Sequence, residues 1–382
     1  MKLDRYKVVV FAILISLLLM NANLVFSSNT DTFKLFYKGS GPDDPINLSN
    51  TRLAVGDINN DGKNELISTR WDFVSGLTSL QICQWNSRKK LFENILVIKN
   101  LKSIYAVTIG DVNNDNISEI IAIGSPDRVT IINWNGERYI TNFYPLAGYP
   151  AEVIAVGDID NDGKNEIIFG EVKDREEEWS LEDIVVWLWN GKDFDVISKS
   201  LDHVWIANLL VVDIDGDNKN ELIVDEFEGK GRDSFRALNI YRYNKTTGSL
   251  EKDIEAKLKT DYGWAPITHL VLWKERGKKR LIAGYSILRK CSFENSKLTF
   301  ISEPFKIPTN PRDLIVGDVD NDGKDEIIIS GFGTKEETAL FIYKKPVNIF
   351  LIISIIAGAI LIIVLAVFFL IRTRRKKKTT TA

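Results

Sequence analysis

Short apolar runs alternate with polar turns along most of the chain, and this pattern predicts strands rather than helices. In a representative stretch, the mainly apolar runs at residues 152–157 and 166–170 flank an acidic turn, and those at residues 184–189 and 194–198 flank an Asn-Gly turn. Runs of this length between Gly, Asn and Asp are typical of strands in hairpins. Since residues 29–345 contain no helical periodicity of useful length, we expect an all-β domain there.

The acidic turn recurs at a period of roughly 50 residues, which is the signature of a repeat protein. Its five copies open at Asp57, Asp111, Asp158, Asp213 and Asp318. The last gap is about twice the others, and a degenerate copy over residues 272–284 fills it. Its four positions that correspond to ligands are held by Leu272, Lys274, Arg276 and Arg280. The sixth copy therefore predicts a strand-turn-strand unit that binds no cation.

Six such units describe modules that bury their faces against one another. We expect a β-propeller of six four-stranded blades, with seven blades or a linear stack of sheets as alternatives. The last unit supplies three strands, at residues 314–317, 326–330 and 338–344, and residues 32–37 would add the fourth. Closure by strands from both ends of the domain would remove exposed strand edges.

Each acidic turn places oxygen ligands at alternate positions, which suits Ca²⁺ better than Mg²⁺. Side chains at positions 1, 3, 5 and 9 and the carbonyl at position 7 would bind it, and glycine at position 6 allows the sharp turn. Carboxylates about 4 Å apart repel by about 4 kcal/mol at an effective dielectric of 20, so such a cluster favours a cation. We predict up to five structural Ca²⁺ ions, with these ligands: Asp57, Asn59, Asp61, Lys63 and Glu65; Asp111, Asn113, Asp115, Ile117 and Glu119; Asp158, Asp160, Asp162, Lys164 and Glu166; Asp213, Asp215, Asp217, Lys219 and Glu221; Asp318, Asp320, Asp322, Lys324 and Glu326.

The copies differ in their expected affinity for calcium. The second has Asn113 at position 3 and Asn116 where glycine is usual, so we expect it to bind most weakly. The fourth has Gly216 at position 4 and Asn218 at position 6, and Asn tolerates a left-handed backbone. The alternative is that these Asp-Asn-Gly clusters are ordinary turn formers.

These turns resemble those of the FG-GAP and VCBS repeat families, whose best-known member is the propeller head of integrin alpha subunits. The resemblance covers residues ~31–345 and implies a propeller with calcium loops, without implying a specific ligand. The chain departs from the family pattern at three points. The last ligand position holds Glu rather than Asp, the Phe-Gly and Gly-Ala-Pro elements are only loosely kept, and integrin heads have seven blades.

The two ends of the chain predict export and membrane anchoring. Residues 1–28 combine basic residues, an apolar core and a small polar exit, which is typical of a signal peptide; an uncleaved anchor is the alternative. Residues 347–371 carry no charge and are long enough to span a bilayer and contact its lipid as a helix. The basic tail at residues 372–382 places the C-terminus in the cytoplasm. We therefore expect a single-pass protein of the cell membrane, with residues 29–345 outside.

Charge and cysteine content narrow the class of partner. Residues 29–345 carry a net charge of −11. This acidic domain lacks a basic stripe, so we expect no nucleic-acid ligand. Cys83 and Cys291 lie within strand-like runs, and buried free thiols are expected rather than a disulfide.

The aromatic residues and the longer loops give the recognition candidates. Trp85, Trp134, Trp187 and Trp189 stand beside hairpin turns at repeating positions, which predicts packing between blades. Trp71, Trp205 and Trp264 follow no such rule and are candidates for an exposed recognition face. Acidic insertions at residues 171–183 and 225–233 predict lengthened loops, where binding sites are common.

The sequence favours a binding protein over an enzyme. It contains no nucleophile elbow, phosphate loop or zinc-helix motif, and His269 is expected to be a packed core residue. We therefore expect a non-enzymatic receptor, adhesin or assembly platform that recognises an extracellular protein or glycan. The alternatives are an extracytoplasmic hydrolase or lyase acting on a polysaccharide through the axial channel, and a sensor.

Overall fold

A computed structural model describes 14 segments of the chain: residues 34–40, 52–72, 75–124, 128–146, 152–174, 181–228, 235–259, 269–275, 278–284, 287–295, 297–301, 305–306, 310–332 and 338–344. Residues Leu35–Tyr343 form one compact unit. A second unit comprises Met1–Lys34 and Lys344–Ala382, of which the structure describes Lys34 and Lys344. The predicted signal peptide, membrane helix and basic tail lie outside the described residues. Within them, no helix is long and apolar enough to cross a membrane.

The described residues form 24 antiparallel strands in six blades, which confirms the all-β propeller. After β1 (Lys34–Ser40), blade 1 contains β2 (Leu53–Gly56), β3 (Glu65–Asp72), β4 (Leu77–Asn86) and β5 (Leu91–Leu101). Blade 2 contains β6 (Ile104–Gly110), β7 (Glu119–Gly124), β8 (Arg128–Trp134) and β9 (Tyr139–Pro145). Blade 3 contains β10 (Ile154–Gly157), β11 (Glu166–Asp174), β12 (Leu181–Trp189) and the first part of β13 (Phe194–Val212).

Blade 4 begins with the second part of β13 and continues with β14 (Glu221–Glu228), β15 (Phe235–Asn244) and β16 (Ser249–Lys259). Blade 5 contains β17 (His269–Glu275), β18 (Lys278–Gly284), β19 (Ile287–Glu294) and β20 (Lys297–Phe300), with β21 (Phe305–Lys306) also paired to β19. Blade 6 contains β22 (Asn310–Gly317), β23 (Glu326–Phe332) and β24 (Thr338–Lys344).

The ring is closed by strands from both ends of the domain, as the sequence predicted. The sheet of blade 6 has the order β1-β24-β23-β22, so β1 supplies the fourth strand. This strand comprises Lys34–Ser40, whereas the sequence placed it at residues 32–37. The inner strand of blade 6 also contacts the inner strand of blade 1.

The inner strands approach one another closely at their C-terminal ends. A Cβ atom built on Gly157 would lie 2.6 Å from Val211 Cγ1 and 2.8 Å from Val211 Cβ, in the next blade. Gly317 likewise packs on Val55 across the closure. Because each strand end meets the equivalent end of its neighbour, the inner strands run in the same direction around the axis.

Apolar clusters fill the spaces between neighbouring blades. Ile328 of blade 6, for example, packs in one cluster with Leu66 of blade 1. Every residue of β7 is buried, because a blade enclosed by two neighbours has no solvent-facing side. This geometry explains why the middle strands read as continuous apolar runs rather than as alternating ones.

The aromatic and cysteine predictions agree with the described structure. Trp187 is buried in the cluster shared by blades 2 and 3 and meets Phe169 edge to face, with ring centroids 5.0 Å apart. Trp85 packs in the cluster that joins blades 6 and 1. Cys83 and Cys291 are buried thiols and are not joined by a disulfide.

The two acidic insertions were predicted as lengthened loops, and this is partly wrong. β11 and β12 continue to the pair Asp174↔Leu181, so both ends of the first insertion are strand. Its Glu171 and Asp183 are buried and bind Lys199 Nζ at 3.1 and 3.0 Å. In the second, Asp225 and Glu226 are buried within β14. Strands persist because basic partners on adjacent strands neutralise these acids, which the local sequence does not reveal.

Blade 5 keeps a strand-turn-strand arrangement but not the predicted register. In the other blades, the pairing of the first two strands ends at a pair such as Gly157↔Glu166, and the acidic loop lies between these two residues. In blade 5 the ladder continues through Trp273↔Arg280 to Glu275↔Lys278. Without a carboxylate cluster to keep them apart, the two strands pair into a tighter hairpin.

The close approach of the inner strands generates a stability prediction. Gly157→Ala should lower the free energy of unfolding by about 1–3 kcal/mol, because the new methyl would lie 2.6 Å from Cγ1 of the stiff, β-branched Val211. Gly56→Ala is the matched control and should cost less, since its Cβ would meet Ile109 Cγ2 at 3.0 Å. Denaturant unfolding of both variants measures the difference. Gly157→Ala should also cost less in a Val211→Ala background, and an unchanged cost would refute the proposed overlap.

Candidate metal centres and the axial channel

The Asp at position 1 organises each acidic loop through its own backbone. In blade 3, Asp158 Oδ1 accepts the N–H of Asp162 at 2.9 Å, and Oδ2 accepts that of Gly163 at 3.0 Å. The loops of blades 1, 2 and 6 repeat both bonds. The carboxylate at position 1 therefore stabilises the turn, as expected if these clusters are ordinary turn formers. Its oxygens still have lone pairs with which to bind a cation.

Two positions of each loop adopt the left-handed backbone. Position 6 does so at Gly163 (φ 92°) and at Asn218 (φ 68°), which confirms the prediction that Asn218 replaces glycine there. Position 4 also does so, at Asn161 (φ 57°) and Gly216 (φ 83°), and this was missed. Asn and Gly adopt this conformation most readily, so each of these two positions holds either Asn or Gly.

The Glu at position 9 is buried in all five loops and holds the loop closed. Its Oε2 accepts the backbone N–H of position 2 at 2.8–3.3 Å in every copy. Burial raises the pKa of this carboxyl to about 7 in Glu65, Glu119 and Glu221 and to about 8 in Glu166. Nearby Asp residues raise it further, whereas the backbone hydrogen bond lowers it. Such a group favours either a proton or a bound cation.

Three loops bring carboxylates from positions 1, 3 and 9 together, with ligand oxygens within 4.8 Å of one another. They are Asp158, Asp160 and Glu166; Asp213, Asp215 and Glu221; and Asp318, Asp320 and Glu326. In blade 3, the buried oxygens Asp160 Oδ1 and Glu166 Oε1 accept no hydrogen bond from any described residue. Buried carboxylate oxygens that accept no hydrogen bond fit a divalent cation. The residues of the blade 3 loop are therefore suited to hold Ca²⁺.

The remaining predicted ligands have more local roles. The Asp at position 5 lies outside these groups of three, and its Oδ1 accepts the N–H of the residue at position 7 at 2.8–3.0 Å. In blade 1, Gln84 Nε2 donates to Glu65 Oε1 at 3.1 Å. In blade 2, Asn113 Nδ2 donates to Glu119 Oε1 at 2.8 Å. Neutral amides therefore satisfy part of the acidic site in these two loops.

Basic side chains contact the loop of blade 4. Lys279 Nζ lies 2.8 Å from Asp213 Oδ2. Arg242 Nη2 lies 3.0 Å from Asp215 Oδ2, and Arg242 Nε lies 3.4 Å from Glu221 Oε1. Each carboxylate of this group of three thus faces a cation of the protein itself.

Position 8 connects the loops of blades 1, 3 and 4 to the preceding blade, which the sequence reasoning missed. The side-chain amides of Asn64, Asn165 and Asn220 donate to the position-1 carbonyls of Asp318, Asp111 and Asp158 at 2.8–2.9 Å. Lys279 makes the same connection from blade 5 to Asp213. The recurrence of Asn at position 8 was the available signal. These bonds couple each candidate metal loop to its neighbour.

The inner strands of all six blades surround an axial channel with a volume of about 460 Å³. Most of the residues that line it are apolar. Arg52, Glu152, Trp205 and Asp313 line it at or near the N-terminal ends of the inner strands. The acidic loops follow the C-terminal ends of the same strands. The polar mouth of the channel and the candidate metal centres therefore lie on opposite faces of the propeller.

Asp313 and His269 lie near each other beside the ring closure. Asp313 Oδ2 accepts the N–H of Leu53 at 2.7 Å, and Oδ1 accepts that of Leu314 at 2.9 Å. His269 Nδ1 lies 3.9 Å from Asp313 Oδ1. Burial lowers the pKa of His269 to about 3, helped by the charges of Arg52 and Arg236, so this histidine is neutral. This agrees with the expected core histidine, and Asp313 connects blade 6 to blade 1.

Trp205 forms an exposed aromatic surface at the polar mouth. Its side chain is 43% exposed, and its backbone is left-handed (φ 41°) where β13 passes from blade 3 to blade 4. Its ring stacks on Phe227 with centroids 5.3 Å apart and planes inclined by 6°. Beneath, Arg236 lies 5.0 Å from the Phe227 ring and binds the buried Asp225 at 2.8 Å. Of the other Trp candidates, Trp264 lies outside the described residues.

Comparison with protein families identifies one matching segment. Residues 100–169 match the family described as FG-GAP-like repeat. The segment covers blade 2 and continues through the blade 3 loop into β11. Together with the six-bladed architecture, this match supports an FG-GAP propeller. A search of curated proteins found no match to the chain.

The buried Glu residues at position 9 generate a pH prediction for the metal-free protein. Their pKa in the folded state, about 7 to 8, exceeds the ordinary value of 4.5, so the folded state binds more protons than the unfolded state between these values. The free energy of unfolding should therefore fall as the pH rises from about 5 to about 8. Melting temperatures measured in EDTA across this range test the slope.

Calcium should flatten this slope, because a bound cation keeps the carboxylates ionised in the folded state. Glu166→Gln, which removes one titrating group, should make the slope in EDTA shallower. A melting temperature in EDTA that rises over this pH range would contradict the prediction.

Proposed function

We propose that this protein is a membrane-anchored cell-surface binding protein, with a calcium-stabilised propeller that recognises an extracellular protein or glycan. The observation that carries the proposal is the separation of two features on opposite faces. One face holds the carboxylate loops, and the other presents Trp205 at the mouth of the channel. A rigid ring with an exposed aromatic residue on one face is suited to binding.

The proposed role of calcium is structural. In blade 3, position 1 directly follows β10, and position 9 is the first residue of β11. A cation held by Asp158, Asp160 and Glu166 would therefore connect the ends of both strands. It would also supply positive charge to the two buried oxygens that lack hydrogen-bond donors.

Asp160→Asn tests this role, because Asn occupies position 3 in the loops of blades 1 and 2. In EDTA the variant should melt at the same or a higher temperature than the wild type, since one repelling carboxylate is gone. In calcium it should melt at a lower temperature, since a ligand charge is lost. Saturating calcium about 100-fold above Kd stabilises a single site by about 2.7 kcal/mol.

The opposite signs separate metal binding from a purely structural role. If Asp160 served only to shape the turn, the substitution would change the melting temperature in the same direction under both conditions. Magnesium at equal concentration is the control and should protect less. Unchanged wild-type stability in EDTA would refute the calcium proposal.

The proposed location follows from the sequence at the two ends of the chain and from the charge of the domain between them. An export signal at residues 1–28 and a membrane helix at residues 347–371 would leave the propeller outside the cell. The net charge of −11 suits a calcium-rich exterior, because bound ions would offset it.

An enzyme that acts through the channel is the second candidate, and Asp313 is the observation in its favour. Its carboxyl lines the channel, and burial raises its pKa, which is a property of many general acids. However, both of its oxygens accept backbone hydrogen bonds at the ring closure. This arrangement supports a structural role for Asp313 and favours binding over catalysis.

A cross-linking experiment on intact cells tests the binding proposal and the location together. Cells that display the full-length chain are treated with a membrane-impermeant cross-linker, and the partners bound to the protein are quantified. Trp205→Ala should reduce capture roughly ten-fold, as expected for a central aromatic anchor. Ile95→Ala is the control, since this residue is 48% exposed on β5, the outer strand of blade 1, and should capture normally. Equal capture by both variants, or cross-linking only after lysis, would contradict the proposal.

A further inference from the structure

The blade 4 loop differs from the blade 3 loop in the side chains that face its carboxylates. Two side chains approach it: the residue from the next blade that bonds to the position-1 carbonyl, and a residue on the third strand of its own blade. In blade 3 these positions hold Asn220 and Leu188, which are neutral, and Lys245, which also reaches that loop, donates to the backbone carbonyl of Asn161 at 3.3 Å. In blade 4 they are Lys279 and Arg242, which are both cationic.

Lys279 acts as a counter-ion to Asp213, the residue at position 1 of the blade 4 loop. Its Nζ donates to the carbonyl of Asp213 at 2.6 Å and to Oδ2 of the same residue at 2.8 Å. In blade 3, the equivalent Oδ2 of Asp158 accepts a backbone N–H of its own loop. A calcium ion bound to Asp213 at about 2.4 Å would lie within roughly 5 Å of this ammonium group.

Arg242 faces the other two carboxylates of the group. Its guanidinium binds Asp215 at 3.0 Å, approaches Glu221 at 3.4 Å, and also binds Asp253 on β16. A rigid guanidinium with several donors is suited to bridging such carboxylates. Lys279 and Arg242 together carry the same charge as one Ca²⁺ ion.

We infer that the blade 4 loop is closed by Lys279 and Arg242 in place of a calcium ion, so the residues Asp213, Asp215 and Glu221 form an ion-pair network rather than a metal site. The inference rests on the proposed calcium binding by the other loops. It also gives the degenerate blade 5 a role, because this blade, which lacks an acidic loop, supplies the lysine to its neighbour.

The ion count tests the inference on the purified full-length protein. Wild-type protein should bind no more than four Ca²⁺ ions per chain at saturation, measured by equilibrium dialysis. The double variant Lys279→Asn/Arg242→Gln should bind one ion more. Both replacements occur naturally in this chain, since Asn165 and Asn220 make the same bond to a position-1 carbonyl, and Gln84 bonds to the position-9 Glu in blade 1.

A control variant separates this effect from a general change in charge. Lys278→Asn/Arg280→Gln removes the same charge from β18, the strand that carries Lys279, but Arg280 binds Glu294 rather than the acidic loop. It should leave the number of bound ions unchanged. If the other loops bind calcium, then five ions bound to the wild type, or no additional ion bound to a folded double variant, would overturn the inference.

Stability in EDTA gives a second readout that does not depend on calcium. Lys279→Asn/Arg242→Gln should melt at a lower temperature than the wild type in EDTA, because three clustered carboxylates lose their counter-ions. Added calcium should restore more of this loss in the double variant than in the control. If no variant binds calcium, the proposed calcium role fails. The inference is then overturned only if the double variant also keeps the wild-type melting temperature.

Discussion

The mutual burial of neighbouring blades is the constraint on which this structure depends. A four-stranded sheet with two apolar faces is stable only if both faces are covered, and here each face is covered by the next blade. The first and last blades meet this requirement only when the ring closes, so β1 must pair with β24. Glycine at the ends of inner strands follows from the same constraint, because the strands converge where Gly157 and Gly317 lie.

The acidic loops extend this coupling between blades beyond the apolar core. Each loop follows an inner strand, where the blades are closest, and most loops receive a donor from the next blade. Charge that accumulates there has to be compensated locally, since the Glu at position 9 is buried. The chain uses different means of compensation: amides at Glu65 and Glu119, and basic side chains at the blade 4 loop. In the blade 3 loop, two buried carboxylate oxygens accept no hydrogen bond from the described residues, which is an arrangement that fits a cation.

The fold could be predicted from the sequence because its signals are local and repeated. Strand lengths, hairpin turns and loop spacing each recur, and the unpaired strand at the start of the domain implied closure. Contacts between distant residues could not be predicted. Lys279 lies 66 residues from Asp213; the alignment of repeats puts it at position 8, but the bonds made from position 8 to the preceding blade were not predicted. The acidic insertions were misread for the same reason, since Arg236 and Lys199 reach Asp225 and Asp183 from other strands.

The ring also keeps the two faces of the propeller apart, so that substitutions on one face need not alter the other. Substitutions near the acidic loops alter ion binding and the connections between blades, whereas Trp205 and the extended hairpins of blades 3 and 4 lie at the other ends of the strands. The continuous strand β13 joins blades 3 and 4 on the Trp205 face and turns at that residue. Its left-handed backbone has a cost, and Phe227 and Arg236 beneath the ring offset it by packing. A recognition surface built there inherits the rigidity of two blades, which limits the entropy lost when a partner binds.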